Sequence, residues 1–284
     1  MESLLIVDGS NLLFQMFYGI PRKIYNAKGE TIHGSIGFIG ALLKIIRLIN
    51  PKYICVIFDG DVPLERTKLD QDYKANRTVD WSLLPSDEVP FFEIEKIRYV
   101  LDNIKIFNYE TITMEADDMI SSITHQFHDN FKIYIVSFDS DFFQLINDNV
   151  SIIRYRGKNT QIYNKSFFIE KFGFTPDKYL SYKALVGDSS DNIKGIEKIG
   201  PKRATYLVTN FENYEDIVNN IEKVKPACIQ DSLLNQYERY KLNLKLISLN
   251  NIKANNFDIK DFTYDENCIN HTSTSLLKTL GIFN

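Results

Sequence analysis

The chain has 284 residues, of which 44% are hydrophobic and 25% charged, as is typical of a globular protein with a sizeable core. No apolar run reaches the ~18 residues of a membrane span, and the N-terminus lacks the basic and apolar regions of a signal peptide. The net charge of −4 argues at first against a nucleic-acid partner, while three scattered cysteines favour a reducing, cytoplasmic setting.

Three short apolar runs are predicted to be buried strands. They are LLIVD ending at Asp8, YICVIFD ending at Asp59 and KIYIVSFD ending at Asp139. Their nearly continuous apolar character is expected of strands that are covered on both faces. Helical patterns separate them, over residues 37–49, 91–104 and 115–127. This alternation predicts an α/β fold with a mostly parallel central sheet flanked by helices.

The segment from about residue 60 to 90 interrupts the alternation. It is long for a connection in a compact domain, so we expect it to be functional or mobile. In DYKANR, Lys74 and Arg77 are three residues apart and share one face if the segment is helical. They could grip a phosphate and offset its developing charge, although a solvated charged helix is an equal alternative.

Beyond about residue 175 the chain is predicted to be mostly helical. We therefore divide it into an α/β core (1–175) and a helical region (176–284), in which residues 231–249 are predicted to form one long amphipathic helix. In IGPKRA, Gly200 followed by Pro201 predicts a helix start. Its free N–H groups, with Lys202 and Arg203 in the first turn, are suited to bind phosphate without reading sequence.

Acidic residues recur where the predicted elements meet. Each of the three strands ends in aspartate, and ligands of open α/β sheets bind at the carboxyl edge. Three further motifs, MEADDM, FDSD and GDSSDN, add carboxylates, the last at a predicted helix start. Taken singly, each could be a helix cap. Taken together they supply nine carboxylates: Asp8, Asp59, Glu115, Asp117, Asp118, Asp139, Asp141, Asp188 and Asp191.

Such a cluster predicts a metal site. Carboxylates gathered at one edge repel one another, and divalent cations relieve the repulsion. Hard oxygen ligands select Mg²⁺ or Mn²⁺, and two ions about 4 Å apart can support phosphoryl transfer. Zinc is less favoured because His125 and His128 lack a cysteine or a third histidine. Setting the nine carboxylates aside changes the net charge from −4 to +5, which is compatible with DNA.

At this point the motifs match a family. The chain resembles the bacterial and phage 5′-nucleases, the flap endonuclease family, which includes the 5′-nuclease domain of DNA polymerase I. The matching motifs are VDGSNLLF, FDGDVPLERTKLDQDYKANR, MEADDM, SFDSDFFQL and GDSSDNIKGIEKIGPKRA. The resemblance implies a PIN-like core, a helical arch or clamp at about 60–90 and a helix–hairpin–helix-like motif at about 185–210.

The resemblance also implies an activity and site roles. The activity is that of a 5′-3′ exonuclease and 5′-flap endonuclease that hydrolyses DNA by a two-metal mechanism in replication and repair. One ion is implied at Asp8, Asp59, Glu115, Asp117 and Asp118, and a second at Asp139, Asp141, Asp188 and Asp191. Catalytic roles are implied for Tyr73, Lys74 and Arg77, and DNA binding for Arg66, Gly200, Lys202 and Arg203. Lys198, which departs from the family pattern, would add a DNA-binding cation beside the phosphates. K⁺ at the helix–hairpin–helix-like motif is implied as well, whereas RNA primers as further substrates are left open. We expect a monomer that binds no membrane.

Three departures from the family pattern bear on activity. Gln15 stands where the family usually has arginine, a cation that Arg22 or Lys23 could replace. Lys198 stands where it usually has glycine, which would cost roughly 1 kcal/mol at positive φ. Phe138 and Ser140 stand where it often has glycine and lysine.

Other classes of protein fit the sequence less well. An aspartate-nucleophile phosphatase needs two aspartates directly after its first strand, and VDGSN has one. A nucleotide-binding Rossmann protein needs a glycine-rich phosphate loop that the chain lacks. A non-catalytic junction-binding protein remains an alternative, favoured by Gln15 and Lys198 and opposed by the intact carboxylates.

Overall fold

The computed structural model describes residues 1–60, 65–77, 79–249 and 256–283. The strands are β1 (Ser3–Asp8), β2 (Tyr53–Phe58), β3 (Phe107–Glu110), β4 (Lys132–Val136), β5 (Val150–Arg154), β6 (Gln161–Tyr163), β7 (Gly187–Asp188) and β8 (Ile193–Lys194). The first six form one sheet in the order β3-β2-β1-β4-β5-β6, parallel except for β6. The predicted α/β fold with a mostly parallel sheet is confirmed.

Helices cover both faces of this sheet. The α-helices are α1 (Gly9–Gly19), α2 (His33–Ile49), α3 (Ile94–Asn103), α4 (Ala116–Phe127), α5 (Lys165–Phe172), α6 (Tyr179–Val186), α7 (Pro201–Asn210), α8 (Tyr214–Asn219), α9 (Ala227–Asn235), α10 (Tyr237–Ile247) and α11 (Ser273–Thr279). In the described part of the chain, none is long and apolar enough to cross a membrane.

The β1 sequence explains why the sheet is buried on both sides. Leu4 and Ile6 pack into one core with α4, whereas Leu5 and Val7 pack into a second core with α2. Successive side chains of a strand point to opposite faces, so a continuous apolar run fits a sheet between two helical layers.

The parallel strands deliver their carboxyl ends to one edge. Asp8 is the last residue of β1, and Asp59 follows the end of β2. The predicted strand ending at Asp139 is shorter than expected, since β4 ends at Val136 and Ser137 and Phe138 lead to Asp139. All three aspartates nevertheless leave neighbouring strands at the same edge.

The segment expected to form an arch contains no α-helix in its described residues. It forms turns at 71–76 and short 3₁₀ helices at Glu65–Lys68, Trp81–Leu83, Ser86–Glu88 and Pro90–Glu93. Lys74 has φ 55°, a left-handed conformation that interrupts a helix. Lys74 and Arg77 therefore do not share a helical face. Residues 61–64 and 78 of the predicted clamp lie outside the described residues.

Two predictions for the second half are wrong. The single helix expected over 231–249 is divided into α9 and α10 at Gln236, whose φ of −118° and ψ of 26° are not helical. The break lets Tyr240 of α10 stack on the buried Tyr214, with 4.2 Å between the ring centroids. Core packing thus outweighs a continuous helical pattern.

The second error concerns GDSSDN. Asp188 and Asp191 do not start a helix but belong to a hairpin in which β7 pairs with β8. Gly187 has φ 81°, and a side chain there would collide with the Gly195 backbone at 2.3 Å. The close approach of two backbones therefore favours the hairpin. The predicted helix start at Pro201 is confirmed, with Gly200 as N-cap.

Candidate active site

A cavity of about 480 Å³ opens at the carboxyl edge of the sheet. Five of the nine predicted carboxylates line it: Asp8, Asp59, Glu115, Asp117 and Asp139. Lys74 and Arg77 also line it, as do the rings of Phe14 and Phe91. The structure thus brings residues from six separate segments of the chain to one site.

Backbone hydrogen bonds fix the first two aspartates. Asp8 accepts from the Asn11 N–H at 3.0 Å and from the Ser137 hydroxyl at 2.8 Å. Asp59 accepts from the Ala116 N–H at 2.9 Å, at the start of α4. Asp8 therefore caps the helix that follows its strand, as the capping alternative required, whereas Asp59 contacts the start of the distant helix α4; both still line the cavity.

Burial and mutual repulsion raise the pKa values of carboxylates in the cavity. Burial raises the pKa of Asp8 to about 7, and the charges of Asp59 and Asp139 add to the effect. Burial also raises the pKa of Asp117 well above its ordinary value, again with help from neighbouring aspartates. Nearby positive charge would lower both pKa values.

Protein cations supply that charge to one side of the cavity. Lys74 pairs with Glu115, and Arg66 pairs with both Glu115 and Asp118. Burial opposes ionisation of Glu115, but the two cations outweigh it and leave its pKa below the ordinary value. Arg66, predicted to bind DNA, is therefore held in ion pairs, and Asp118 faces Arg66, not the cavity.

A second acidic group lies around Lys183. Its ammonium lies 2.5 Å from an Asp141 carboxylate oxygen and also contacts Asp188. Burial raises the pKa of Asp141 to about 7 even beside this cation. The Asp139 carboxylate accepts from the Asp141 N–H at 2.8 Å, which links this group to the cavity. Sequence reasoning missed Lys183, because a lysine inside an apolar helix pattern carries no signal of its burial.

Asp191 connects the hairpin to the predicted clamp. Its carboxylate accepts from Arg77 at 2.7 Å, and its carbonyl accepts from the Lys74 N–H at 2.9 Å. Tyr73 is buried against Ile193 and Leu246 and so contributes packing. Burial raises its pKa, which keeps the hydroxyl neutral.

The predicted DNA-binding residues of the helical region lie outside the cavity. Lys198 has φ 64°, the left-handed conformation anticipated for a glycine position. Its carbonyl accepts from Arg203 at 2.6 Å. Lys198, Gly200, Lys202 and Arg203 are all exposed around the N-terminus of α7.

The departure at Gln15 has a structural account. The Gln15 amide donates to the Tyr155 carbonyl at 2.5 Å, where α1 meets the end of β5. Lys23, one suggested replacement for the missing cation, instead pairs with Asp87 at 2.7 Å.

The donor set fits a hard divalent cation in kind. The cavity offers carboxylate oxygens, and none of its described lining residues is a histidine or cysteine. Within residues 1–60, 65–77, 79–249 and 256–283, no three side chains of aspartate, glutamate, histidine or cysteine converge closely enough to hold an ion. Lys74 and Arg66 pair with Glu115 instead, and Lys183 pairs with Asp141.

Known proteins are similar to this chain in sequence and in fold. The model of the 5′-3′ exonuclease N-terminal, resolvase-like domain matches residues 3–173, and that of the 5′-3′ exonuclease C-terminal SAM fold matches residues 174–269. The 5′-3′ exonuclease of Buchnera aphidicola is 34% identical over 94% of this chain and 93% of its own. That of Aquifex aeolicus is 33% identical over 85% of this chain and 82% of its own. DNA polymerase I of Borreliella burgdorferi is 31% identical over 98% of this chain, which spans 31% of that protein.

A solved structure shares the fold. The zinc-bound T5 5′-exonuclease superposes with a TM-score of 0.71 at 22% identity, over 97% of this chain and 94% of its own. The family models and these relatives define the class as a nuclease, and the acidic cavity at the carboxyl edge of the mostly parallel sheet is its candidate site. Within that class, the chain belongs to the 5′-3′ exonuclease family, which the sequence motifs had indicated.

Proposed function

We propose that this protein is a metal-dependent, structure-selective 5′-nuclease that hydrolyses DNA phosphodiesters near a junction of single strand and duplex. The observation that carries the proposal is the acidic cavity at the sheet edge, where burial and mutual repulsion raise the pKa values of Asp8 and Asp117. A relative in fold, the T5 flap endonuclease, is described in complex with DNA and metal ions.

The nine carboxylates divide into two proposed groups. Asp8, Asp59, Glu115, Asp117 and Asp118 would hold one Mg²⁺ or Mn²⁺, and Asp139, Asp141, Asp188 and Asp191 a second. When bound, such ions activate water and stabilise the leaving oxygen of a phosphodiester. Ion binding would also compete for carboxylates that Lys74 and Arg77 now hold, which frees these cations to bind the substrate phosphate. Tyr73 would support Lys74, whose ammonium lies 5.0 Å from its ring centroid.

The helical region is proposed to hold duplex DNA. The N-terminus of α7, with Gly200, Lys202 and Arg203, offers N–H groups and positive charge to the phosphate backbone. Lys198 would add a further cation beside them, and K⁺ at this motif is part of the proposal. We propose the boundary with the core near residue 175, supported by family models that meet at residues 173 and 174. We also propose a monomer, and RNA primers as further substrates.

The test is cleavage of a labelled 5′-flap duplex with Mg²⁺ by wild type and Asp188→Ala. We expect cuts near the junction and at least a ~100-fold slower rate for the variant, because one proposed metal ligand is lost. Asp148→Ala is the matched control, since Asp148 is exposed and pairs with Lys165 just before β5 begins, at the opposite sheet edge. Tight flap binding without cleavage by wild type would favour the non-catalytic alternative.

A further inference from the structure

The turn between β5 and β6 carries positive charge beside the cavity. The stretch 150–163 contains Arg154, Arg156 and Lys158 and no acidic residue. We call residues 154–160 the basic turn. β5 is parallel to β1 and β4, so the basic turn leaves the sheet at the edge where Asp8 and Asp139 lie.

The basic turn contacts Phe138, the residue next to the cavity lining. Arg154 donates to the Phe138 carbonyl at 3.1 Å, and Phe138 directly precedes Asp139. The Arg156 guanidinium lies 5.0 Å from the centroid of the Phe138 ring. Stacking of this kind holds the plane of the guanidinium and leaves its N–H groups available to an anion.

The backbone of the basic turn is also fixed. The Arg156 N–H donates to the Thr160 hydroxyl at 3.1 Å, and that hydroxyl donates to the Gly157 carbonyl at 2.7 Å. Gly157 has φ 57°, which glycine adopts without strain. Arg156 itself is exposed. The backbone at Arg156 is therefore fixed, while its side chain is exposed to solvent.

Charge balance distinguishes Arg156 from the other cations of the site. Arg66, Lys74, Arg77 and Lys183 each pair with a carboxylate. Within the described ranges, Arg154, Arg156 and Lys158 form no ion pair. The Arg154 guanidinium packs over the Phe143 ring, 4.5 Å from its centroid. Arg156 and Lys158 are therefore the exposed cations of the basic turn that have no carboxylate partner in the described part of the chain.

We propose that the basic turn is a contact site for the DNA backbone, with Arg156 binding a phosphate of the strand that enters the cavity. The proposal rests on the proposed function and names a further binding residue for it. A planar guanidinium matches the two oxygens of a phosphate, and such contacts fix register without reading sequence.

The test is the salt dependence of flap binding, measured by fluorescence anisotropy of a labelled 5′-flap duplex in EDTA. A lost phosphate contact lowers the slope of log affinity against log salt by about 0.7–0.9. We therefore expect Arg156→Gln to bind more weakly at low salt and to lose about threefold less affinity than wild type between about 50 and 200 mM salt. Arg156→Lys should keep the wild-type slope, and Lys165→Gln, at the opposite sheet edge, should match wild type.

Cleavage separates the two proposals. With Mg²⁺, Arg156→Gln should raise KM and leave kcat nearly unchanged, because Arg156 lies outside the cavity lining. Wild type that cuts the flap while Arg156→Gln keeps the wild-type slope would overturn the basic-turn proposal alone. Wild type that binds the flap and does not cut it would overturn the proposed function alone, because the salt slopes of wild type and Arg156→Gln in EDTA still decide the basic-turn proposal.

Discussion

The Asp8 carboxylate begins helix α1 and faces the acidic cavity at the same time. Its pKa is about 7 in the folded protein and 3.8 ordinarily. Between pH 3.8 and 7 the folded state therefore binds more protons than the unfolded state. Asp141 behaves in the same way. The free energy of unfolding of the metal-free protein should therefore fall as pH rises from about 4 to about 7.

Asp8→Asn tests this at one position. Asparagine caps helices as well as aspartate does but carries no charge, so the metal-free variant should be about 2 kcal/mol more stable than wild type at pH 8. The gain should be mostly lost near pH 4, where Asp8 is protonated in the folded state and about half protonated in the unfolded state. Urea unfolding in EDTA at the two pH values measures this, and equal stability of the two proteins at pH 8 would contradict it.

Lys183 holds Asp141 and Asp188 together inside the protein. Lys183→Met removes the cation and leaves two largely buried carboxylates, so the metal-free variant should lose about 3 kcal/mol of stability. Mg²⁺ should restore more stability to the variant than to wild type, because an ion replaces the missing charge. Thermal unfolding with EDTA and with Mg²⁺ measures this, and an equal Mg²⁺ effect on both proteins would argue against an ion at this position.

At the scale of elements, the turn before α7 holds Lys198 at φ 64°. Glycine adopts this conformation without strain, but it also has a larger conformational entropy in the unfolded state. With both effects counted, Lys198→Gly should stabilise the protein by about 0.5 kcal/mol. Glu197→Gly, at the exposed neighbour without positive φ, should instead destabilise by about 0.5–1 kcal/mol. Chemical denaturation measures both, and the same sign for both variants would show that strain at Lys198 is not the cause.

Sequence reasoning predicted the elements whose pattern is local. The β1 strand and the α4 helix follow from periodicity, and the α7 start follows from Gly200 and Pro201. Local pattern could not place the break at Gln236, which depends on Tyr240 reaching the distant Tyr214. Nor could it predict the Asp188 hairpin, because that depends on Gly187 meeting the backbone of Gly195.

The same distinction applies to the site. Motifs predicted the carboxylates that line the cavity, since a strand end and a helix start are local features. The partners of these carboxylates come from other elements: Lys183 reaches Asp141 from α6, and Arg66 reaches Asp118 from the predicted clamp. Such pairs depend on tertiary packing, which the spacing of residues along the chain does not encode.

At the scale of the whole molecule, the architecture concentrates acidic residues at one sheet edge and leaves basic residues on the surface outside the cavity. Parallel strands bring Asp8, Asp59 and Asp139 to one edge, and the net charge of −4 conceals this separation. The basic turn and the N-terminus of α7 carry positive charge on the described surface outside the cavity. We propose that DNA is held by its backbone at these cations while one phosphodiester lies at the carboxylates.

The most direct measurement is the single-turnover cleavage rate of a labelled 5′-flap duplex as Mg²⁺ is titrated into EDTA-treated protein. We expect no cleavage without metal, products with a 5′-phosphate, and, if the two proposed ions act together, a rate that rises more steeply than first order in Mg²⁺. Cleavage that persists in EDTA, or tight binding with no cleavage at any Mg²⁺ concentration, would contradict the claim that the acidic cavity is a metal-dependent nuclease site.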